Sequence, residues 1–120
     1  MIEIRMDTKR LKMKITGHAR PEECEDHTLV CNSASVLAQG LVYSCKKFSD
    51  EKQAAQKIQY RPDRGDLFFM VIPEKWAEVV YRAKFRTYAD GLVCLAQNRP
   101  ESVTMILDGK KIEADKEDEG

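Results

Sequence analysis

Apolar residues at Ile2, Ile4 and Met6 alternate with polar ones, and Leu11, Met13 and Ile15 repeat the alternation, the period of half-buried strands. Asp7-Thr8-Lys9 between them suits a hairpin turn. From Leu29 the period lengthens. Val30, Ala34, Leu37, Leu41 and Cys45 recur every three or four residues among good helix formers, which predicts a helix of about four turns. Thr28 stands where its hydroxyl can cap that helix by accepting a backbone N–H of the first turn. Phe48 to Ala55 is polar. Two further strands follow, Lys57 to Arg61 and Leu67 to Ile72, joined by the turn-favouring Pro62-Asp63-Arg64-Gly65. A second helix is expected to begin at Pro73-Glu74, continue through Trp76, Val80, Ala83, Leu92, Leu95 and Ala96, and end near Asn98-Arg99-Pro100. Ser102 to Leu107 supplies a last strand.

The order is β-β-α-β-β-α-β. Hairpin-paired strands and two helices that must cover one face predict an α+β fold with a mostly antiparallel sheet. Residues 1–108 are read as a single domain and 109–120 as an acidic, disordered tail. A chain of 120 residues can bury a core without a metal or disulfide as a staple.

Charge adds little in total and more in its distribution. Twenty Lys and Arg balance twenty Asp and Glu, so the sum points to neither nucleic acid nor an anionic membrane. Residues 1–20 nevertheless carry Arg5, Lys9, Arg10, Lys12, Lys14 and Arg20 against Glu3 and Asp7, while residues 113–120 carry five acids and only Lys116. Lysines alternating along an outer strand are commonly a solvated face. The longest unbroken apolar run, Leu67 to Ile72, is far short of the roughly twenty residues a membrane helix needs. Charges from Glu3 onward argue against a secretory signal, so a cytoplasmic protein is expected. No two of Cys24, Cys31, Cys45 and Cys94 form a C-x-x-C pair, and no disulfide framework is expected.

Two of those cysteines, Cys45 and Cys94, fall on apolar helical stripes and read as core, whereas Cys24 lies in a polar loop and reads as exposed. Phe68, Phe69, Trp76 and Tyr81 read as packing residues. Cys31 is different, because it falls in the first turn of the first helix, where unpaired N–H groups and positive potential favour a thiolate. His18 follows Gly17 directly after a strand, and a loop of about ten residues folding over the site would let imidazole and thiol meet as base and nucleophile. A small core cysteine is the commoner reading of such a position. His27 and Cys31 share i,i+4 spacing, but no further ligand cluster has zinc-like spacing, so no metal is expected.

Gly17-His18-Ala19, followed by Leu29-Val30-Cys31-Asn32-Ser33-Ala34-Ser35-Val36-Leu37, resembles the Prp family of ribosomal-processing cysteine proteases. That family is marked by G-H-A, a glycine-bearing loop, and then D-[IL]-V-C-A-x-x-S-[AV]-L. Leu95-Ala96-Gln97-Asn98-Arg99-Pro100-Glu101-Ser102-Val103 is similar to its closing segment, and the element order agrees over residues 1–108. The resemblance implies Cys31 as nucleophile, His18 as general base and proton donor, and Ser35 one turn after Cys31 as a supporting group. It implies a homodimer without a cofactor, acting on the N-terminal extension of a large-subunit ribosomal protein or on a phage virion protein. Three differences stand out: the loop is one residue longer, Asp26 takes the place of the loop glycine, and Thr28 takes the place of the aspartate before the cysteine. Loss of the loop glycine and of the aspartate favours the alternative, a non-enzymatic module of the same fold that holds a peptide or ribosomal partner.

Overall fold

Alternation along the first residues places Ile2, Ile4 and Met6 on one face of strand β1 (Ile2–Asp7), with Glu3 and Arg5 on the other. Asp7 ends the strand. Its carboxylate accepts the backbone N–H groups of Arg10 and Lys9 at 2.8 and 2.9 Å, which hold its pKa below the usual carboxylate value, Arg10 contributing most. Leu11 then takes a left-handed φ of 59° so that its side chain turns inward, and strand β2 (Lys12–Thr16) starts one residue later than the alternation alone suggests. The hairpin register pairs Glu3 with Thr16 and Asp7 with Lys12.

The computed structural model describes residues 1–48 and 54–114. Its elements continue with helix α1 (His27–Phe48), β3 (Ala54–Arg61), β4 (Asp66–Pro73), helix α2 (Glu78–Asn98), β5 (Val103–Leu107) and β6 (Lys110–Lys111). They form one six-stranded sheet in the order β3-β4-β2-β1-β5-β6. Every neighbouring pair is antiparallel except β1 and β5, which run parallel in the register Ile2 to Val103. The fold is α+β with a mostly antiparallel sheet and two helices, as the hydrophobic pattern predicts.

The core lies between the helices and the sheet. Val30, Ala34, Ala38, Leu41 and Cys45 of α1 and Tyr81, Phe85, Ala89, Leu92 and Ala96 of α2 are buried against Ile4, Met13, Phe69, Val71 and Met105. Phe69 and Phe85 stack at 6.0 Å between ring centroids, and truncating either to alanine would cost about 3–5 kcal/mol.

Six local expectations are corrected. Helix α1 starts at His27 because the Asp26 carbonyl already accepts the Val30 N–H at 3.1 Å, so Thr28 is a first-turn residue and not the cap. Pro73 completes β4, and a tight turn of 3-10 helix over Lys75–Ala77 precedes α2. Trp76 is 67% exposed in that turn, and Cys94 is also exposed, since Leu92 and Ala96 take the inward positions around it. Cys24 is half-buried, its sulfur 3.0 Å from the Ser102 hydroxyl. Residues beyond 108 start as structure and not as a tail: Asp108 and Gly109 turn the chain at φ 50° and 83°, and Lys110–Lys111 pair with β5. Thr8 secures that turn through its own N–H and hydroxyl, each 2.7 Å from the Asp108 carboxylate. Residues 115–120, the greater part of the acidic segment, lie outside the described residues, as do 49–53 of the polar stretch before β3. No described helix is long and apolar enough to cross a membrane.

Candidate active site

Where β2 ends, Gly17 adopts φ +87°, a conformation that L side chains rarely take, and a Cβ there would lie 2.3 Å from the Met1 carbonyl oxygen. This turn carries His18 to the surface and returns Ala19 to the interior. The loop from Ala19 to Asp26 is stitched at several points. Glu23 accepts the Arg20 N–H at 2.7 Å and the α-ammonium of Met1 at 2.8 Å, and these hold its carboxyl below the usual range, the ammonium contributing most. The same ammonium donates to the His18 carbonyl at 2.6 Å. At the far end Asp26 forms an ion pair with Arg99, which enters from the close of α2.

Cys31 is half-buried one turn into α1. Its sulfur accepts the Ala19 N–H at 3.2 Å and lies 3.8 Å from the Ala19 carbonyl, so the residue next to His18 in the chain is the one bonded to the thiol. The N–H facing the sulfur therefore comes from the loop and not from the helix start. His18 Nε2 reaches the Asp63 carbonyl at 3.4 Å, across from the turn between β3 and β4. Among the described residues, the thiol and the imidazole make no hydrogen bond to each other.

Both groups nevertheless open onto one cleft of about 220 Å³. Ile2, Ile15, Ala34 and Leu67 give it an apolar side, while His18, Cys31, Asn32, Ser35, Gln39 and Tyr60 supply its polar groups. Ser35 does not reach the sulfur: its hydroxyl accepts from Gln39 Nε2 at 2.7 Å, and the same amide lies 3.3 Å from the Tyr60 hydroxyl. Thr28 is exposed and outside the residues lining the cleft. Sequence reading thus identifies three of the cleft's polar groups, His18, Cys31 and Ser35, and assigns no role to Asn32, Gln39 or Tyr60. The signals existed, since Cys31, Ser35 and Gln39 share i,i+4 spacing and Tyr60 sits at the inward parity opposite Leu67. Among the described residues no cluster of His, Cys, Asp and Glu is disposed to hold a metal ion.

No protein-family model and no curated protein matches the chain. Solved structures do. A crystal structure of the essential ribosomal processing protease Prp from S. aureus, covalently linked to a product peptide, aligns with a TM-score of 0.71 at 17% identity, over 89% of this chain and 99% of that one. The same protease in complex with a substrate peptide aligns at TM-score 0.73 and 16% identity with equal coverage. SMU.848 from Streptococcus mutans aligns at 0.67 and 21%, over 88% of this chain and 94% of its own. At these identities the likeness is one of fold: the architecture described above is that of the Prp ribosomal processing proteases.

Proposed function

We propose that the chain is a cysteine endopeptidase that removes the N-terminal extension of a large-subunit ribosomal protein, or of a phage virion protein. The observation that carries the reading is the opening of Cys31 and His18 onto one cleft, in a fold shared with proteases that hold peptides. In this reading His18 takes the thiol proton as Cys31 Sγ attacks the scissile carbonyl carbon. The Ala19 N–H beside the sulfur is placed to hold the oxyanion that forms. His18 then gives its proton to the leaving amine as the C–N bond breaks, leaving a thioester. Water attacks the thioester, His18 receives its proton and returns it to the sulfur, and the new carboxylate departs. Thiol and imidazole are to close on each other when a peptide fills the cleft, as catalytic hydrogen bonds often tighten only in the complex. The reading carries with it a homodimer working in the cytoplasm, the former checked by sedimentation of the purified chain.

One observation favours a second reading, a peptide-binding module without catalysis: the sulfur is bonded to the Ala19 backbone and not to His18. Mass spectrometry of a matching precursor separates the two. The protease reading expects cleavage by the unmodified chain, loss of cleavage but retained binding in Cys31→Ala, and severe loss in His18→Ala, with the double variant little worse than the worse single one. The binding reading expects no cleavage and unchanged affinity in Cys31→Ala. Cleavage that survives Cys31→Ala would sink the proposed chemistry.

A further inference from the structure

We infer that the backbone carbonyl of Asp63 is the group that orients His18, fixing the imidazole as the Nε2–H tautomer and leaving Nδ1 as the nitrogen that exchanges a proton with Cys31. The inference rests on the protease reading for its role in turnover, and on geometry for the tautomer. A cysteine–histidine pair commonly relies on a third group that holds the ring, and among the described residues no side chain is hydrogen-bonded to it. Asp26 is occupied by Arg99, and among the described residues the Asp63 carbonyl is the one hydrogen-bond partner of the His18 ring.

The turn that presents this carbonyl is built for close approach. Arg61 ends β3, Pro62 opens a single turn of 3-10 helix without an N–H of its own, and Gly65 closes it by donating to the Pro62 carbonyl at 3.1 Å. That bond consumes the Pro62 oxygen and leaves the Asp63 oxygen for His18. Gly65 stands at φ +68°, and a Cβ there would lie 2.2 Å from the Gly17 oxygen and 2.9 Å from His18 Cε1. Glycine is therefore the one residue that lets this turn seat against Gly17 and His18 without displacing the ring.

The chemistry then follows from donor and acceptor roles. A carbonyl only accepts, so Nε2 must carry a proton, and in the neutral ring the free lone pair is on Nδ1. When Nδ1 takes the thiol proton the ring becomes a cation, and its Nε2–H bond to Asp63 becomes charge-assisted and stronger. The carbonyl thus favours the ion pair over the neutral pair, and the proton leaves Nδ1 for the amine in the next step. Because the orienting group is main chain, alanine scanning of side chains would not reveal it.

Long-range 1H–15N correlation spectra of the uniformly 15N-labelled full chain read the tautomer directly. The expected result is Nε2–H for His18 at a pH where the ring is neutral; Nδ1–H overturns the inference whether or not the chain cleaves anything. Asp63→Ala removes the carboxylate and keeps the carbonyl, and is expected to preserve Nε2–H; loss of that tautomer would assign the role to the side chain instead. Gly65→Ala is expected to mix the tautomers and to lower kcat on a matching precursor about tenfold or more with little change in KM. An unchanged tautomer with unchanged kcat in folded Gly65→Ala also overturns it. A chain that shows Nε2–H but cleaves no precursor retains the positioning contact and loses the protease reading, whereas cleavage with Nδ1–H does the reverse.

Discussion

Helix α1 carries a cysteine near each end, and the two sit in opposite surroundings. Near its start Cys31 is half-buried, faces a cleft and receives an N–H from a loop. Near its end Cys45 is fully buried among core side chains, and desolvation pushes its thiol up to about 12 although Lys84 opposes the shift. One helix thus makes one thiol available and locks the other away. Residue type says nothing about this difference; what decides it is whether the covering element is a packed sheet or a hydrogen-bonded loop.

Alkylation should break this comparison first if it is wrong. Iodoacetamide is expected to modify Cys31, with exposed Cys94 as a control, while Cys45 reacts only through global unfolding, several orders of magnitude more slowly. Peptide mass spectrometry of a time course reads this, and Cys31 reacting no faster than Cys45 would make it another core residue. The second contrast is energetic. Leu41→Ala, at a fully buried position of α1, should cost about 3 kcal/mol or more in urea unfolding, and Cys31→Ala less than about 1 kcal/mol. Comparable losses would mean the cleft end is packed as tightly as the core.

The two ends also differ in their response to pH. The Cys45 thiol titrates higher in the folded chain than the ordinary value of 9.0, so its stabilisation is complete below that value and is lost as pH rises toward about 12. Stability should fall by up to about 1.4 kcal/mol per pH unit over this range, and Cys45→Ala should flatten the slope. The loop responds to acid. Glu23 is held below its ordinary pKa, so its contribution is present above that value and lost as pH falls through the depressed one. Faster amide exchange over residues 19–26 on acidification, mimicked at neutral pH by Glu23→Gln and leaving the global unfolding midpoint nearly unchanged, is the smallest of these effects.

The alternation of Ile2, Ile4 and Met6 and the helical stripe from Val30 to Cys45 made most of the architecture legible, because burial on one face imposes those periods directly. The boundaries were less legible. Nothing local distinguishes Thr28 from Asp26 as the start of α1, since the choice is made by the Val30 N–H and by Arg99 arriving from α2. Cys94 shows the limit of a stripe, its neighbours Leu92 and Ala96 being buried while it is not. His18, Cys31 and Ser35 were legible as cleft residues through their motif, but Gly65 was read only as turn chemistry, because its closeness to His18 depends on how β4 pairs with β2. Strand β6 is too short and too polar to leave a periodic trace.

The parallel pairing of β1 with β5 has a consequence for how the molecule comes into being. Residues 2–7 occupy the middle of the sheet, yet one of their two neighbours is made of residues 103–107. A chain emerging from the ribosome can assemble the β1–β2 hairpin, α1 and the β3–β4 hairpin while the far edge of β1 is still unpaired. Loop closure between residues 2–7 and 103–107 must come late, which slows folding and leaves a hydrogen-bonding edge open in the meantime. All residues lining the cleft precede residue 68, so the pieces of the site are made first, but the strand that pairs with Ile2 is made only with residues 103–107. Competence is thereby deferred until residues 103–107 have been made and have paired with β1.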